Sequence, residues 1–211
     1  MGVVECPRMN VIAGQTVILG VTGSIAAHRA VDLASLLVRH GCSVHVVMTR
    51  DAQRFVTPLP FKTLSRHAVM ASLWDDPAGW QPPHIELADQ ARLLLVAPAT
   101  ARCLAKLAHG LADDALQCIA LALNPRARIL VAPAMNGRMW LHPATQTNVA
   151  LLRDRGVEFI GPESGPLACG QEGVGRMCAV DRIAARALAL LAAPTDRPAE
   201  ADAGRKPRSA R

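Results

Sequence analysis

The chain contains no tyrosine and only three phenylalanines and three tryptophans, so it lacks the stacking platform on which single-stranded nucleic acids are held. Its apolar runs all break well short of the roughly 20 residues needed to cross a bilayer as a helix, which argues against membrane insertion. The six cysteines include no C-x-x-C pair, and neither a zinc site nor a disulfide framework is indicated. Charge of one sign is also scarce. The net charge is +6, and the segment from Pro194 to Arg211, with five basic and three acidic residues, supplies two of those charges. The phosphate of a small ligand accounts for this mild excess as well as a nucleic acid does. The opening stretch MGVVECPRMNVIAGQ has neither a basic leader nor a sustained apolar block, so a cytoplasmic location is expected.

Aliphatic residues are abundant. At 211 residues, 51% apolar and 19% charged, the chain has material for one sizeable core. Short runs rich in Val, Ile and Leu recur at Thr16 to Val21, Ser43 to Met48, Arg92 to Ala97, Arg128 to Ala132 and Gly156 to Ile160. Their hydrophobicity is continuous rather than alternating, as in strands covered on both faces of a parallel sheet. Helical patterns fall between them at Ile25 to His40, Thr100 to His109, Asp113 to Leu123 and Thr145 to Arg155, and Asp181 to Ala192 closes the series. The alternation predicts an α/β fold, a three-layer sandwich around a parallel Rossmann-like or flavodoxin-like sheet, with ligands at the carboxyl ends of the strands. The expected organisation is an extension over 1–15, one domain over 16–193 and a disordered basic tail over 194–211. Two segments rich in Gly and Pro, Trp74 to Pro83 and Gly161 to Met177, interrupt the rhythm and read as long irregular loops beside the site.

The strand ends carry the candidate site residues. The first runs into Gly20-Val21-Thr22-Gly23-Ser24-Ile25, where glycine permits close backbone approach and helix-start amides with the Thr22 and Ser24 hydroxyls can hold a phosphate. The spacing is not G-x-G-x-x-G, so a dinucleotide is not specified, and a plain turn explains the glycines equally well. Thr49, after the second strand, and Thr100, after the third, present hydroxyls at the same sheet end, although each can equally be a helix cap. His84 begins an amphipathic helix, where an isolated histidine is usually a surface or capping residue. Asn136 follows the fourth strand and can be a turn residue.

The fourth strand ends in PAMNGRMW, which resembles the P-x-M-N-x-x-M-W signature of the homo-oligomeric, flavin-containing cysteine decarboxylases. TGSIAA, MTRDAQRFVTP, HIELAD, APATA and the flap ACGQEGVGRM follow the family's order, so the resemblance spans Val17 to Ile183. It implies FMN as cofactor, with Gly23, Ser24, Ile25 and Thr49 around the phosphate and ribityl chain and Thr100, Ala101, Arg102, Cys103 and Ala134 along the flavin. Many relatives carry Asn-Thr at Arg102-Cys103. It also implies His84 as a base, Asn136 with Met139 at the substrate carboxylate, and Cys169 in the flap as a late proton donor.

A cysteine residue alone cannot delocalise the electrons left when CO2 departs, whereas oxidation at its sulfur gives a thioaldehyde that can, and FMN would accept those electrons. The implied reaction is decarboxylation of 4'-phosphopantothenoylcysteine to 4'-phosphopantetheine for coenzyme A biosynthesis. A separate phosphopantothenoylcysteine synthetase would supply the substrate. A peptidyl-cysteine oxidative decarboxylase, which stops at the enethiol, and a non-catalytic flavin-binding regulatory protein are the alternatives. The resemblance further implies a homotrimer or dodecamer with flavin sites at subunit contacts, and no nucleic-acid or membrane partner.

Overall fold

The computed structural model describes residues 12–74, 82–166, 170 and 172–194. Most of the proposed extension, the tail from residue 195, residues 75–81 of the first irregular loop, and Cys169 lie outside the described residues. Five parallel strands, β1 (Thr16–Val21), β2 (Ser43–Met48), β3 (Leu93–Ala99), β4 (Arg128–Pro133) and β5 (Glu158–Phe159), form a sheet of order β2-β1-β3-β4-β5. The helices among the described residues are α1 (Arg29–Arg39), α2 (Pro58–Ser65), α3 (Pro83–Gln90), α4 (Ala101–His109), α5 (Ala115–Ala122), α6 (Gly137–Leu141), α7 (Pro143–Asp154) and α8 (Val180–Ala192).

The pleat divides each strand between two cores. Val17, Leu19 and Val21 of β1 pack with α1, α2 and α8, while Ile18 packs on the opposite face with α3, α4, α5 and α7. β3 divides likewise, with Leu93, Leu95 and Ala97 on the first face and Leu94 and Val96 on the second. This double covering is why the strands read as unbroken apolar runs. Leu33 and Leu37 of α1 are completely buried, each contributing about 1.5–3 kcal/mol relative to exposure. No helix among the described residues is long and apolar enough to cross a membrane.

Three expectations need correction. The helix expected from Ile25 begins as a 3-10 turn over Ile25–His28, because Ala27 N–H bonds Ser24 O at 2.9 Å and draws the first turn tight before α1 starts. The segment Gly161 to Met177 is not wholly irregular: β6 (Glu163–Pro166) and β7 (Glu172–Arg176) pair as an antiparallel hairpin. Glycine there marks a close backbone approach as well as a turn. The third strand continues through Pro98 to Ala99, and the register with β4 shifts between Val96 and Ala99, where proline offers no ladder N–H. α2 carries prolines at positions 58 and 60, tolerated in a first turn that has no intrahelical N–H bonds to lose.

The strand order reverses between β1 and β3, since the chain passes from β1 outward to β2 and then returns to the other side of β1. Their carboxyl ends diverge into connections on opposite faces, opening the crevice in which α/β sheets hold ligands.

Candidate active site

Two adjoining cavities open at this crevice. The larger, about 1100 Å³, is lined by Thr22, Gly23, Thr49, Thr100, Ala101, Arg102 and Cys103, with Gln117 from α5. The other, about 560 Å³, is lined by Gly23, Ser24, Ile25, Thr100, Ala134, Asn136 and Met139, with Pro166, Gly175 and Arg176 from the hairpin. Gly23, Thr100 and Met139 belong to both walls. All the residues assigned from sequence to cofactor or carboxylate therefore line one cavity or both. The division differs from the one expected: Ser24 and Ile25 lie with Ala134, whereas Thr49 lies with Ala101, Arg102 and Cys103.

Hydrogen bonds define what each hydroxyl does. Thr22 is 2% exposed; its Oγ1 donates to Pro98 O at 2.7 Å and accepts the Thr100 N–H at 3.1 Å. That hydroxyl therefore ties two strand ends together and does not present itself to a phosphate as the sequence reading allowed. Ser24 Oγ accepts the Ala26 N–H at 3.3 Å, and Thr49 Oγ1 accepts the Ala52 N–H at 3.3 Å. Thr100 caps α4 by accepting the Cys103 N–H at 3.3 Å. The capping reading of Thr100 thus holds together with its position on the cavity wall, whereas Thr49 is not a cap: the short 3-10 turn Ala52–Arg54 has Asp51 at its N-cap, and the Thr49 hydroxyl bonds into that turn from two residues earlier.

The larger cavity is charged. Arg102 reaches across it to Asp51 at 2.7 Å, both groups being largely exposed, so the pair contributes little stability in itself. Lys106 contacts Asp113 at 2.5 Å and Asp114 at 3.2 Å. Partial burial pushes the Lys106 ammonium down, but the two carboxylates outweigh it and leave its pKa above the ordinary value. Cys103 is buried, and the loss of water pushes its thiol up to about 12, so it stands in the wall as a neutral group.

The fourth strand delivers Asn136 to the smaller cavity. Its Oδ1 accepts the Arg138 N–H at 2.9 Å and caps α6, which holds the carboxamide in one orientation. Trp140 of the same short helix is buried in the second core, whereas Met139 stays half exposed over the cavities. The hairpin seats on this loop: Gly175 O accepts the Met135 N–H at 2.9 Å, and a Cβ at Gly175 would lie 2.2 Å from Met135 O. Glu163 anchors the hairpin base through Arg182 at 2.7 Å, Arg176 at 3.3 Å and the Cys178 thiol at 3.2 Å. The Cys178 S–H first, then a backbone amide and the arginines, hold the Glu163 carboxyl below its ordinary range.

His84 stands apart. It lies half-buried in the first turn of α3 and lines neither cavity. Sequence reasoning missed Gln117, whose only signal was a polar residue inside the apolar helix ALQCIALA, and Arg29, which donates to Met177 O at 3.1 Å beneath the hairpin. Among the described residues no group of three or more His, Cys, Asp or Glu is arranged to hold a metal ion.

Sheet order and cavity position define a flavodoxin-like α/β protein with a ligand site at the switch point. The family model described as "Flavoprotein" matches residues 8–191, and the chain belongs to that family. It is 44% identical over 169 residues to the coenzyme A biosynthesis bifunctional protein CoaBC of Vibrio vulnificus, covering 80% of this chain and 42% of that protein. The chain thus spans less than half the length of the bifunctional relatives. It is 43% identical over 167 residues to a probable phosphopantothenoylcysteine decarboxylase of Streptococcus mutans, covering 79% of this chain and 93% of that one. Among solved structures, a mutant PPC decarboxylase complexed with pantothenoylaminoethenethiol superposes with TM-score 0.74 at 31% identity, over 82% of this chain and 96% of the other. The FMN-dependent cysteine decarboxylase SpaF gives TM-score 0.74 at 31% identity, over 86% and 99%.

Proposed function

We propose that this chain catalyses the FMN-dependent decarboxylation of 4'-phosphopantothenoylcysteine to 4'-phosphopantetheine. The observation that carries this reading is the seating of the hairpin on the asparagine loop through Gly175 and Met135, which sets Asn136 and the flap on one cavity wall at the switch point. The Streptococcus mutans relative, matched over 93% of its length, supports it.

The residues present fit a flavin nucleotide. The larger cavity offers hydroxyl and cationic groups for a phosphate and a polyol, while Gly23 and Ala134 leave the smaller one a low wall against which a flat ring can lie. Bound there, FMN supplies the electron sink that the substrate's cysteine carbon lacks. The remaining work belongs to protein groups. Arg102 and Thr49, with Arg54 from the same cavity wall, hold the nucleotide's polar end. The Asn136 amide, fixed by its cap, orients the substrate carboxylate by hydrogen bonding and adds no charge that would hinder release as neutral CO2. Cys169 Sγ delivers the late proton, a role that a neutral thiol can fill as a general acid.

The His84 imidazole acts as base in the site of a neighbouring copy, within a homotrimer or a dodecamer built from four trimers. Its absence from its own chain's cavities supports this, as do Ile25 and Met139, which line the smaller cavity yet are 61% and 50% exposed. The substrate comes from a phosphopantothenoylcysteine synthetase, and the product feeds coenzyme A biosynthesis, the process for which the bifunctional relatives are named.

The test is to reconstitute the protein with FMN, incubate it with phosphopantothenoylcysteine and weigh the product. Loss of CO2 alone is the expected result. Loss of CO2 plus two hydrogens would identify the oxidative peptidyl-cysteine type, a second reading favoured by the equal superposition on SpaF. Bound flavin without turnover of either class of cysteine substrate would leave a regulatory protein.

A further inference from the structure

Gln117 is the polar exception on α5, and it is only 2% exposed. Its backbone N–H is taken by Asp114 Oδ1 at 3.0 Å, and its Nε2 donates to Cys103 Sγ at 3.5 Å, a long contact to a weak acceptor. Oε1 has no partner among the described residues. Turning the amide over gives no relief, because the Cys103 thiol would then satisfy Oε1 and the NH2 group would be orphaned in its place. Buried polar groups without partners are costly and rare in native proteins.

Two spaces border this side chain. One is a narrow pocket of about 180 Å³ between α4, α5 and α7, whose walls are chiefly aliphatic, including Leu107, Leu121, Ile129 and Leu152. Its two cations are already engaged, Lys106 by Asp113 and Asp114, and Arg155 by Ala108 O at 2.7 Å. The other is the larger active-site cavity, whose wall Gln117 shares with Cys103.

Resting on the flavin reading of that cavity, the geometry points to Gln117 as a cofactor-positioning residue: braced by Cys103, its carboxamide oxygen accepts a hydrogen bond from an O–H of the bound nucleotide's polyol. The pairing also explains why cysteine is accommodated at 103. A small neutral group there sets the amide, and the amide rather than the residue at 103 meets the ligand.

The full-length protein is stripped of flavin and titrated with FMN as wild type, Gln117→Leu and Gln117→Met, with visible spectra and thermal unfolding recorded with and without FMN. Loss of one neutral hydrogen bond is expected to weaken FMN binding about 3- to 10-fold in both variants. The flavin-free forms should melt no lower than wild type, since no described residue satisfies that atom. Wild-type affinity for FMN in either folded variant would overturn the assignment and leave the flavin reading intact. Collapse of both flavin-free variants would show that the amide serves the fold, and would also overturn it. A wild type that takes up no FMN would overturn both.

Discussion

The Thr22 hydroxyl accepts the Thr100 N–H at 3.1 Å while donating to Pro98 O at 2.7 Å, so one side chain fastens the end of β1 to the end of β3 where the site opens. The cavity walls at Gly23 and at Thr100 are therefore held at a fixed spacing by a buried group that need not touch the ligand. Thr22→Val keeps the shape and removes both bonds. It is expected to cost about 1–3 kcal/mol in urea unfolding, with weaker FMN retention, whereas Thr22→Ser should retain most of both. Unchanged stability in the valine variant would contradict the tie.

Asn136 has a structural and a chemical duty that substitution separates. Aspartate is as good a helix cap as asparagine, so Asn136→Asp should stay near wild-type stability, while Asn136→Ala should lose about 1 kcal/mol. Both should fall at least about tenfold in kcat/KM. For aspartate, the reason is that a second carboxylate faces the substrate's own and like charges repel. A fully active aspartate variant would remove Asn136 from carboxylate recognition.

The hairpin glycines are not equivalent. A Cβ at Gly175 would meet Met135 O at 2.2 Å, a backbone atom with nowhere to go, whereas a Cβ at Gly170 meets nothing within 4 Å. Gly175→Ala should unseat the hairpin and lower turnover by about tenfold or more. Gly170→Ala, strained only by its positive φ of 77°, should cost about 1–2 kcal/mol locally and leave steady-state rates closer to wild type. Equal rates in the two variants would refute this difference.

His45 supplies a pH dependence outside the site. Its ring stacks on His67 at 4.0 Å, and both Nε2 atoms contact Ser43 Oγ. Burial, and after it the His67 charge, holds the imidazole down at about 4 against an ordinary 6.5. The unfolded chain therefore takes up this proton first. The stability that neutral His45 contributes is complete above pH 6.5 and is lost as the pH falls through that value toward about 4. In urea titrations wild type should decline more steeply over this window than His45→Thr, and parallel slopes would count against it.

If His84 works in a neighbour's site, two inactive chains should rescue one another. His84→Ala and Asn136→Ala proteins, unfolded together and reassembled, should regain part of the decarboxylase activity, because mixed assemblies contain some sites with both residues intact. No recovery from well-mixed oligomers would place His84 in its own chain's site.

The residue pattern determined the layers and their order of appearance. Runs such as the one from Arg92 to Ala97 are apolar on both faces of the strand they form, as a doubly covered parallel strand requires. Pattern also placed the candidate residues at strand ends, since a loop after each strand must emerge at the same edge. It could not distinguish a hydroxyl that meets a ligand from one that ties strands. Thr22 and Thr49 read alike, yet Thr22 is consumed by Pro98 and Thr100, residues more than 70 positions away. Nor could it pair Gln117 with Cys103, seat Gly175 on Met135, or show that His84 misses its own cavities. Those are contacts between distant segments, and they depend on how helices and hairpin pack on the finished sheet. A local sequence carries its own propensities and its burial periodicity; its partner across the fold is chosen only by tertiary packing.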